Sequence, residues 1–146
     1  MKQKNYSYLL VSLQYLIMVI LLYLNYTFLL QAVPLSIFFI GFIIGIYAIY
    51  CNKLHNFNII PEIKDNANLV THGIYKYVRH PMYLSVAVMM LGTIIFNLNF
   101  VNIFIYLILI LALFLKARKE EKLWSKKIPQ YSDYMKSSKM IIPYLL

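Results

Sequence analysis

Four long apolar runs dominate the sequence and leave little choice of fold. They span residues 7–30, 34–50, 81–96 and 100–115. As a helix, the first run is about 36 Å long, enough to cross a hydrocarbon core of about 30 Å with some tilt. Charged residues make up only 13% of the chain, against about 25% in soluble domains. The pattern predicts an all-α integral membrane protein with about four transmembrane helices in a single domain, 1–146.

The last two apolar runs are short for a full crossing. Each is only about 24 Å long as a helix. They either extend into their polar flanks as two spans or form a shallow helical hairpin. Two spans are favoured, because Lys116 can extend its ammonium to the interface and Tyr83 can sit among the lipid headgroups.

The basic residues follow a topological pattern. They lie before the first run, in the loop 51–80 and in the tail 116–146, and none lies in the two short connections. The positive-inside rule then places both termini, the loop and the tail in the cytoplasm. This distribution accounts for the net charge of +9 without a nucleic-acid partner, and no nucleic-acid-binding motif is present.

Three further features predict how the helices and their connections pack. Gly41 and Gly45 give the second run a small-xxx-small pattern, which favours close packing of a helix within the chain. The central loop is rich in Asn, Pro and Gly, with one short helical turn near Thr71–Tyr77. The tail is too aromatic and apolar for disorder, so it folds back over the loop or lies on the membrane surface.

Helical periodicity continues past the fourth run. Spacings of 3, 4, 3 and 4 put five residues on one stripe: Phe114, Ala117, Glu121, Trp124 and Ile128. Lys116 and Lys119 lie on other, wetter faces. Glu120 and Glu121 have a structural explanation as helix-surface ion pairs with Lys116 and Arg118. Glu121 nevertheless lies on the apolar stripe, where a carboxylate needs a partner. Both interpretations stay open.

The segment Arg79-His80-Pro81 is the main candidate for an anion site. Proline favours a helix that starts at Pro81 and pushes His80 away from helical geometry. The helix N-terminus and the guanidinium of Arg79 together favour an anion such as a carboxylate or phosphate. The structural alternative is that Arg79 reaches lipid phosphates and His80 caps the helix.

Taken together, these groups offer a positive and a negative pocket at one membrane face. A zwitterionic ligand would complement them, with its carboxylate at Arg79 and its ammonium at Glu120 or Glu121. Three tyrosines are placed to stack on a ring or a sulfonium: Tyr75, Tyr77 and Tyr83. Without the charged pockets, these tyrosines would be interpreted as an interfacial aromatic belt.

Other chemistries find no support in the sequence. Neither His55 nor His72 has a spacing that suggests a metal site with His80, so no metal is predicted. Cys51 is the only cysteine, which excludes a disulfide within the chain. There is no Walker A motif, no G-x-G-x-x-G and no G-x-S-x-G.

At this point the motifs resemble a known family. The stretch 69–84 ends in Arg-His-Pro-Met-Tyr-Leu and is followed by a hydrophobic hairpin, the Glu120-Glu121 pair, two tyrosines and Ile142-Pro143. This order resembles the isoprenylcysteine carboxyl methyltransferase family, which belongs with the phospholipid N-methyltransferases among membrane methyltransferases. The resemblance covers roughly the second half of the chain. The first two runs carry no recognisable family signal.

The resemblance implies a methyl donor, S-adenosylmethionine, bound on the cytoplasmic side, and a lipophilic acceptor that enters from the bilayer. It implies donor contacts at Tyr75, His80, Tyr83 and Glu121. It also implies that the residues nearest the acceptor and the methyl transfer are Arg79 and Glu120. The division between the two glutamates stays open, as does the choice between a carboxylate and an amine acceptor.

Two departures and two rivals accompany this interpretation. Ile74 stands where family members often have proline, and Ser85 stands where glycine is common. One rival is a membrane reductase of the sterol-reductase type using a reduced nicotinamide phosphate, although Leu84-Ser-Val86 lacks the acidic residue those enzymes usually carry. The other rival is a non-catalytic membrane protein that retains only the scaffold.

Overall fold

The protein is a bundle of helices. The computed structural model describes residues 2–53, 56, 58–63 and 67–142. Its α-helices are α1 (Lys2–Leu24), α2 (Ala32–Asn52), α3 (Pro81–Ile94), α4 (Phe100–Lys127) and α5 (Tyr131–Ser137), and 3₁₀ turns span Tyr26–Leu30 and Gly73–Lys76. The described residues contain one isolated parallel β-bridge and no β-strand. His55 and Pro143, named above, lie outside the described residues.

The predicted all-α membrane class is confirmed, with shifted boundaries. The run 7–30 is divided into α1 and a 3₁₀ turn that follows Asn25. The predicted continuation of the fourth helix beyond the apolar run, which ends at residue 115, is confirmed, because α4 continues without a break to Lys127. Hydropathy falls after residue 115, but Ala, Lys and Glu are strong helix formers, so the helix continues. The predicted turn near 71–77 is confirmed as the second 3₁₀ turn.

Within the part of the chain that the structure describes, three helices are long and apolar enough to cross a membrane: α1, α2 and α4. The shorter α3 has 14 residues and is about 21 Å long. It nevertheless connects the same two ends of the bundle as α4. Its first turn places Tyr83 against Glu120, and Asn97 beyond its last turn donates to Asn25, which also bonds Asn102. Along α4, Asn102 and Glu120 are about 27 Å apart.

The core is built by two pairs of helices, α1 with α4 and α2 with α3. On α1, every third or fourth side chain is buried: Ser7, Leu10, Gln14, Ile17 and Leu21. This stripe packs on α3 and α4 around Met90, Ile94, Leu109 and Leu113. The outer faces of the bundle carry large exposed apolar side chains, as lipid contact requires.

α2 and α3 approach each other closely at glycines. A Cβ atom on Gly41 would lie 2.6 Å from the backbone nitrogen of Met89, and one on Gly45 would lie 2.6 Å from the Ser85 hydroxyl. The Ser85 hydroxyl donates to the Gly41 carbonyl at 2.7 Å, so serine at this position adds an interhelical hydrogen bond. The predicted use of Gly41 and Gly45 in packing within the chain is confirmed.

A network of amides closes the end of the bundle away from the central loop. The Asn102 amide donates to Asn25 Oδ1 and to the Asn97 carbonyl, both at 2.8 Å. Asn25 in turn donates to Asn102 Oδ1 at 3.1 Å, and Asn99 caps α4 by accepting from the Asn102 backbone. These neutral amides bond one another, which removes the penalty for burying them in an apolar bundle.

The tail folds back over the loop, the first of the two expected arrangements. Its backbone pairs with the segment before α3: Lys139 donates to the Tyr77 carbonyl at 2.9 Å and its own carbonyl accepts from Arg79 at 2.8 Å. The next residue, Met140, accepts from His80 at 3.0 Å. The loop, the start of α3, the end of α4 and the tail therefore meet at one end of the bundle.

Candidate active site

The start of α3 fixes the two central basic residues of the site. Pro81 occupies the first helical turn, where its missing N–H has no consequence, and His80 stays outside helical geometry with φ −122° and ψ 61°. His80 and Arg79 are also held by the backbone bonds to the tail. Both side chains are consequently directed toward α4, where Glu120 and Glu121 lie.

Arg79 and Glu121 form a buried ion pair. Arg79 Nε donates to Glu121 Oε1 at 2.6 Å, and the two side chains are only 7% and 6% exposed. Arg79 Nη1 donates to the Met135 carbonyl at 3.2 Å and also to the Ser138 carbonyl. The guanidinium thus connects the loop to α4 and to the tail, and the carboxylate on the apolar stripe has the partner it requires.

His80 lies between the two carboxylates. Its Nδ1 is 3.3 Å from Glu120 Oε2, and its Nε2 is 3.5 Å from Glu121 Oε1, the oxygen that Arg79 already occupies. Nε2 is buried and has no hydrogen-bond partner among the described residues. Burial opposes protonation of the ring, but the carboxylates of Glu120 and Glu121 outweigh it, so the pKa of His80 is raised.

Tyr83 completes a second contact group within the site. Its ring stacks on the His80 ring, with centroids 5.3 Å apart and planes within 4°, and its hydroxyl donates to Glu120 Oε1. The ammonium of Lys116 lies 4.9 Å from the centre of the Tyr83 ring and donates to Gln14 Oε1 of α1. Glu120 is therefore held by Tyr83 and His80, whereas Glu121 is held by Arg79.

A cavity of about 110 Å³ opens beside these residues. One wall carries Arg79, His80, Tyr83 and Glu120, and the opposite wall comes from the central loop. The loop wall is rich in polar side chains: Asn52, Asn56, Asn58, Glu62 and Asn68. The volume lies below the roughly 300–1,000 Å³ of pockets that enclose whole ligands of drug size.

Aromatic side chains form the rest of the cavity wall. The Tyr134 hydroxyl donates to the Tyr75 carbonyl at 2.6 Å, which ties α5 to the 3₁₀ turn. The ring of Tyr131 lies between those of Trp124 and Tyr134, with centroid distances of 6.2 Å and 5.7 Å. Burial raises the pKa of Tyr75 and of Tyr131, and it raises that of Tyr134 to about 12. These phenols stay protonated at neutral pH and can donate hydrogen bonds.

The structure brings together all six residues that the sequence nominated: Tyr75, Arg79, His80, Tyr83, Glu120 and Glu121. It pairs them differently from the expectation. Separate positive and negative pockets were expected, but Arg79 and Glu121 neutralise each other directly. Tyr77, nominated for stacking, is 55% exposed and is not among the residues that line the cavity.

Two lysines were assigned to the wrong environment. Lys116 was expected on a wet face and at the membrane interface, but it is 2% exposed and points inward. Lys119 is half-buried, and its ammonium donates to the Ser7 hydroxyl. Both lysines contact polar side chains of α1. The signal for this was present in the sequence, since Ser7 and Gln14 are seven residues apart and share a face of α1.

Comparison with known proteins supplies the family. A sequence profile described as the isoprenylcysteine carboxyl methyltransferase family matches residues 34–126, more than half of the chain. The chain belongs to this family. The protein is therefore a member of a family of membrane methyltransferases, and the methyltransferase interpretation is favoured over the reductase interpretation. No curated protein matches the sequence.

The extent of the family match corrects the sequence interpretation at both ends. The match includes α2, although no family signal was recognised there. It ends at residue 126, so α5 and the segment that pairs with the loop lie beyond it. α1, with Gln14, also lies outside the match.

Proposed function

We propose that this protein is an S-adenosylmethionine-dependent methyltransferase that acts on a lipophilic acceptor at the membrane. The observation that carries the proposal is the buried group formed by Arg79, His80, Glu120 and Glu121 at the wall of the cavity. It lies within the segment that matches a methyltransferase family. Ionisable groups buried in a membrane protein are expensive and mark functional sites by default.

The chemistry of the donor set fits S-adenosylmethionine. The ligand carries an ammonium, which would complement the carboxylates of Glu120 and Glu121, and a sulfonium, which would complement the ring of Tyr75. His80 Nε2, buried without a hydrogen-bond partner among the described residues, offers a polar atom to the carboxylate or the ribose.

When bound, S-adenosylmethionine would supply an electrophilic methyl group and leave as S-adenosylhomocysteine. Glu120, held by Tyr83 and His80, would take the proton of an amine acceptor. A carboxylate acceptor would need no base. Arg79 would act by fixing Glu121 and the tail, since its guanidinium is occupied by them. Alignment of acceptor, methyl group and sulfur would supply much of the rate.

The membrane setting supports an acceptor with an apolar body and a polar head. The site lies at one end of the bundle, where α3 and α4 leave the apolar zone. The basic residues of the loop and tail lie at this same end, so the positive-inside rule supports a cytoplasmic location for the site and both chain termini. The polar head would then meet the donor at the cytoplasmic edge of the bilayer.

Isothermal titration of the detergent-purified protein with S-adenosylhomocysteine tests the proposal. We expect binding with a submillimolar Kd. Glu120→Gln and Tyr75→Phe keep side-chain shape and should weaken binding roughly tenfold or more, since each removes a charge or a donor from a buried site. Asp133→Asn is the matched control, because its carboxylate is exposed and pairs only with Lys136 at the surface.

The same protein titrated with NADPH separates the rivals. Binding of NADPH without S-adenosylhomocysteine would favour the reductase, and binding of neither would favour a non-catalytic scaffold. Equal affinity of the wild type and Glu120→Gln for S-adenosylhomocysteine would move the donor site away from this cavity. The melting temperature of each variant, followed by the fluorescence of Trp124, shows that it is folded.

A further inference from the structure

We propose that Lys116, held by Gln14 of α1, is a positioning residue for the Tyr83–Glu120 pair, so that the first helix is part of the catalytic machinery. The inference rests on the proposed function. It concerns two residues that were not nominated for the site from the sequence. It also concerns a helix outside the family match, which covers residues 34–126.

The first step is the geometry around Lys116. Its ammonium donates to Gln14 Oε1 of α1 and lies 4.9 Å from the centre of the Tyr83 ring. The hydroxyl of Tyr83 in turn donates to Glu120 Oε1. Lys116 also precedes Glu120 by four residues, so both side chains share one face of α4. A continuous series of contacts therefore runs from α1 to the carboxylate.

The second step is that the charge is buried without a close counter-ion. Lys116 is 2% exposed, and the described residues contain no ion pair between it and a carboxylate. Its described partners are a neutral amide and an aromatic face. An ammonium in such a place is unfavourable on its own, so its positive field acts on the Tyr83 ring that it faces and on Glu120, about one turn further along α4.

The third step compares the two ends of the α1–α4 interface. At the far end the same two helices are joined by Asn25 and Asn102, which are neutral amides. A neutral pair is thus enough to fix the register of α1 against α4. The lysine stands only at the end that carries the site, where its charge can hold the Tyr83 ring and favour an ionised Glu120.

The test replaces the pair by apolar residues, Gln14→Leu with Lys116→Met, in the full-length protein. We measure transfer of tritiated methyl groups from S-adenosylmethionine into total membrane lipid extract at saturating donor. The expected result is a loss of about tenfold to a hundredfold in transfer rate, because Tyr83 and Glu120 lose their alignment. The melting temperature stays close to that of the wild type. Lys116→Arg, which keeps the charge, retains more transfer than Lys116→Met.

The matched control is Ser7→Ala with Lys119→Met. This pair also joins α1 to α4 through a lysine, but Lys119 lies near the ring of Tyr6 and not near Tyr83. We expect no loss of transfer. Equal losses in both double variants, or a melting temperature that falls in parallel with activity, would assign Lys116 a structural role and overturn the inference.

A readout without turnover completes the experiment. His80 faces Glu120 and Glu121 of α4, Tyr83 of α3 and Arg79 of the loop. Loss of the positive charge at Lys116 should make protonation of His80 easier. The pH dependence of the melting temperature then shifts to higher pH in Lys116→Met, more than in Lys119→Met, and an absent shift contradicts the inference. A wild type that neither binds S-adenosylhomocysteine nor transfers methyl groups would refute the proposed function itself.

Discussion

His80 sits between two carboxylates, and its charge decides whether they repel each other. The protonated ring attracts both Glu120 and Glu121, whereas the neutral ring leaves Glu121 to Arg79 alone. These carboxylates raise the pKa of His80 above its ordinary value of about 6.5. A single proton therefore affects the stability of the whole junction between loop, α3 and α4.

This arrangement predicts a pH-dependent stability. A histidine whose pKa is raised by folding contributes its full stabilisation below about pH 6.5, and the contribution disappears as the pH rises through the raised pKa. Each unit of that rise is worth about 1.4 kcal/mol. We expect the melting temperature of the wild type in detergent to fall over this range by a few degrees. His80→Gln should show a flatter curve and its largest loss at acidic pH.

His72→Gln is the control for this measurement. His72 is exposed and lies outside the site, so its replacement should leave the wild-type curve unchanged. The interpretation of His80 fails if His80→Gln keeps the pH dependence of the wild type.

Single residues of the site were predictable where local sequence constrains them. Arg79 and His80 precede a proline at the start of an apolar run, and Glu121 lies on an apolar stripe. Each could therefore be nominated before the residue that contacts it was known. The environment of Lys116 was not predictable in this way. A lysine at the end of an apolar run usually reaches the interface, and the partner that holds it inward, Gln14, lies 102 residues away.

At the scale of elements, the α2–α3 contact depends on two glycines with different neighbours. At Gly41 an added Cβ would meet backbone atoms of α3, which cannot turn aside, whereas at Gly45 it would meet the side chain of Ser85. Gly41→Ala should therefore destabilise the protein by about 1–3 kcal/mol, as overpacking does. Gly45→Ala should cost less, and adding Ser85→Ala should recover part of the loss. The melting temperatures of the variants in detergent check both.

The two glycine variants control each other. They lie on one face of one helix and add the same methyl group, so lipid contact and helix propensity change equally. Equal melting temperatures for Gly41→Ala and Gly45→Ala would show that α3 adjusts to the added methyl group at both positions.

Element boundaries followed from the sequence only where a backbone signal accompanied the hydropathy. Pro81 gave the start of α3 correctly, since proline fixes a first turn. Residue 115 marks the edge of the apolar zone, and the continuation of α4 beyond it was predicted from side-chain periodicity, although its exact end at Lys127 was not. The pairing of Lys139 with Tyr77 could not be predicted from the sequence, since one isolated β-bridge has no periodicity to detect.

At the scale of the whole molecule, an apolar sequence determines the class of fold, while sparse polar contacts fix how the helices meet. The amides of Asn25, Asn97 and Asn102 close one end of the bundle, and the ionic group around His80 closes the other. Between them α3 runs from end to end in only 14 residues. A four-span arrangement requires α3 and α4 to cross the membrane in opposite directions, and we predict from the contacts at both ends that they do.

Cysteine accessibility tests that requirement directly. In a Cys51→Ser background we place single cysteines at three exposed positions: Thr71 before α3, Leu98 between α3 and α4, and Ser137 after α4. A membrane-impermeant maleimide applied to intact bacterial cells should label only Leu98→Cys, since the positive-inside rule predicts that the basic loop and tail face the cytoplasm. The other two should react only after permeabilisation. Labelling of Thr71→Cys and Leu98→Cys from the same side would mean that α3 does not cross and would favour the shallow hairpin.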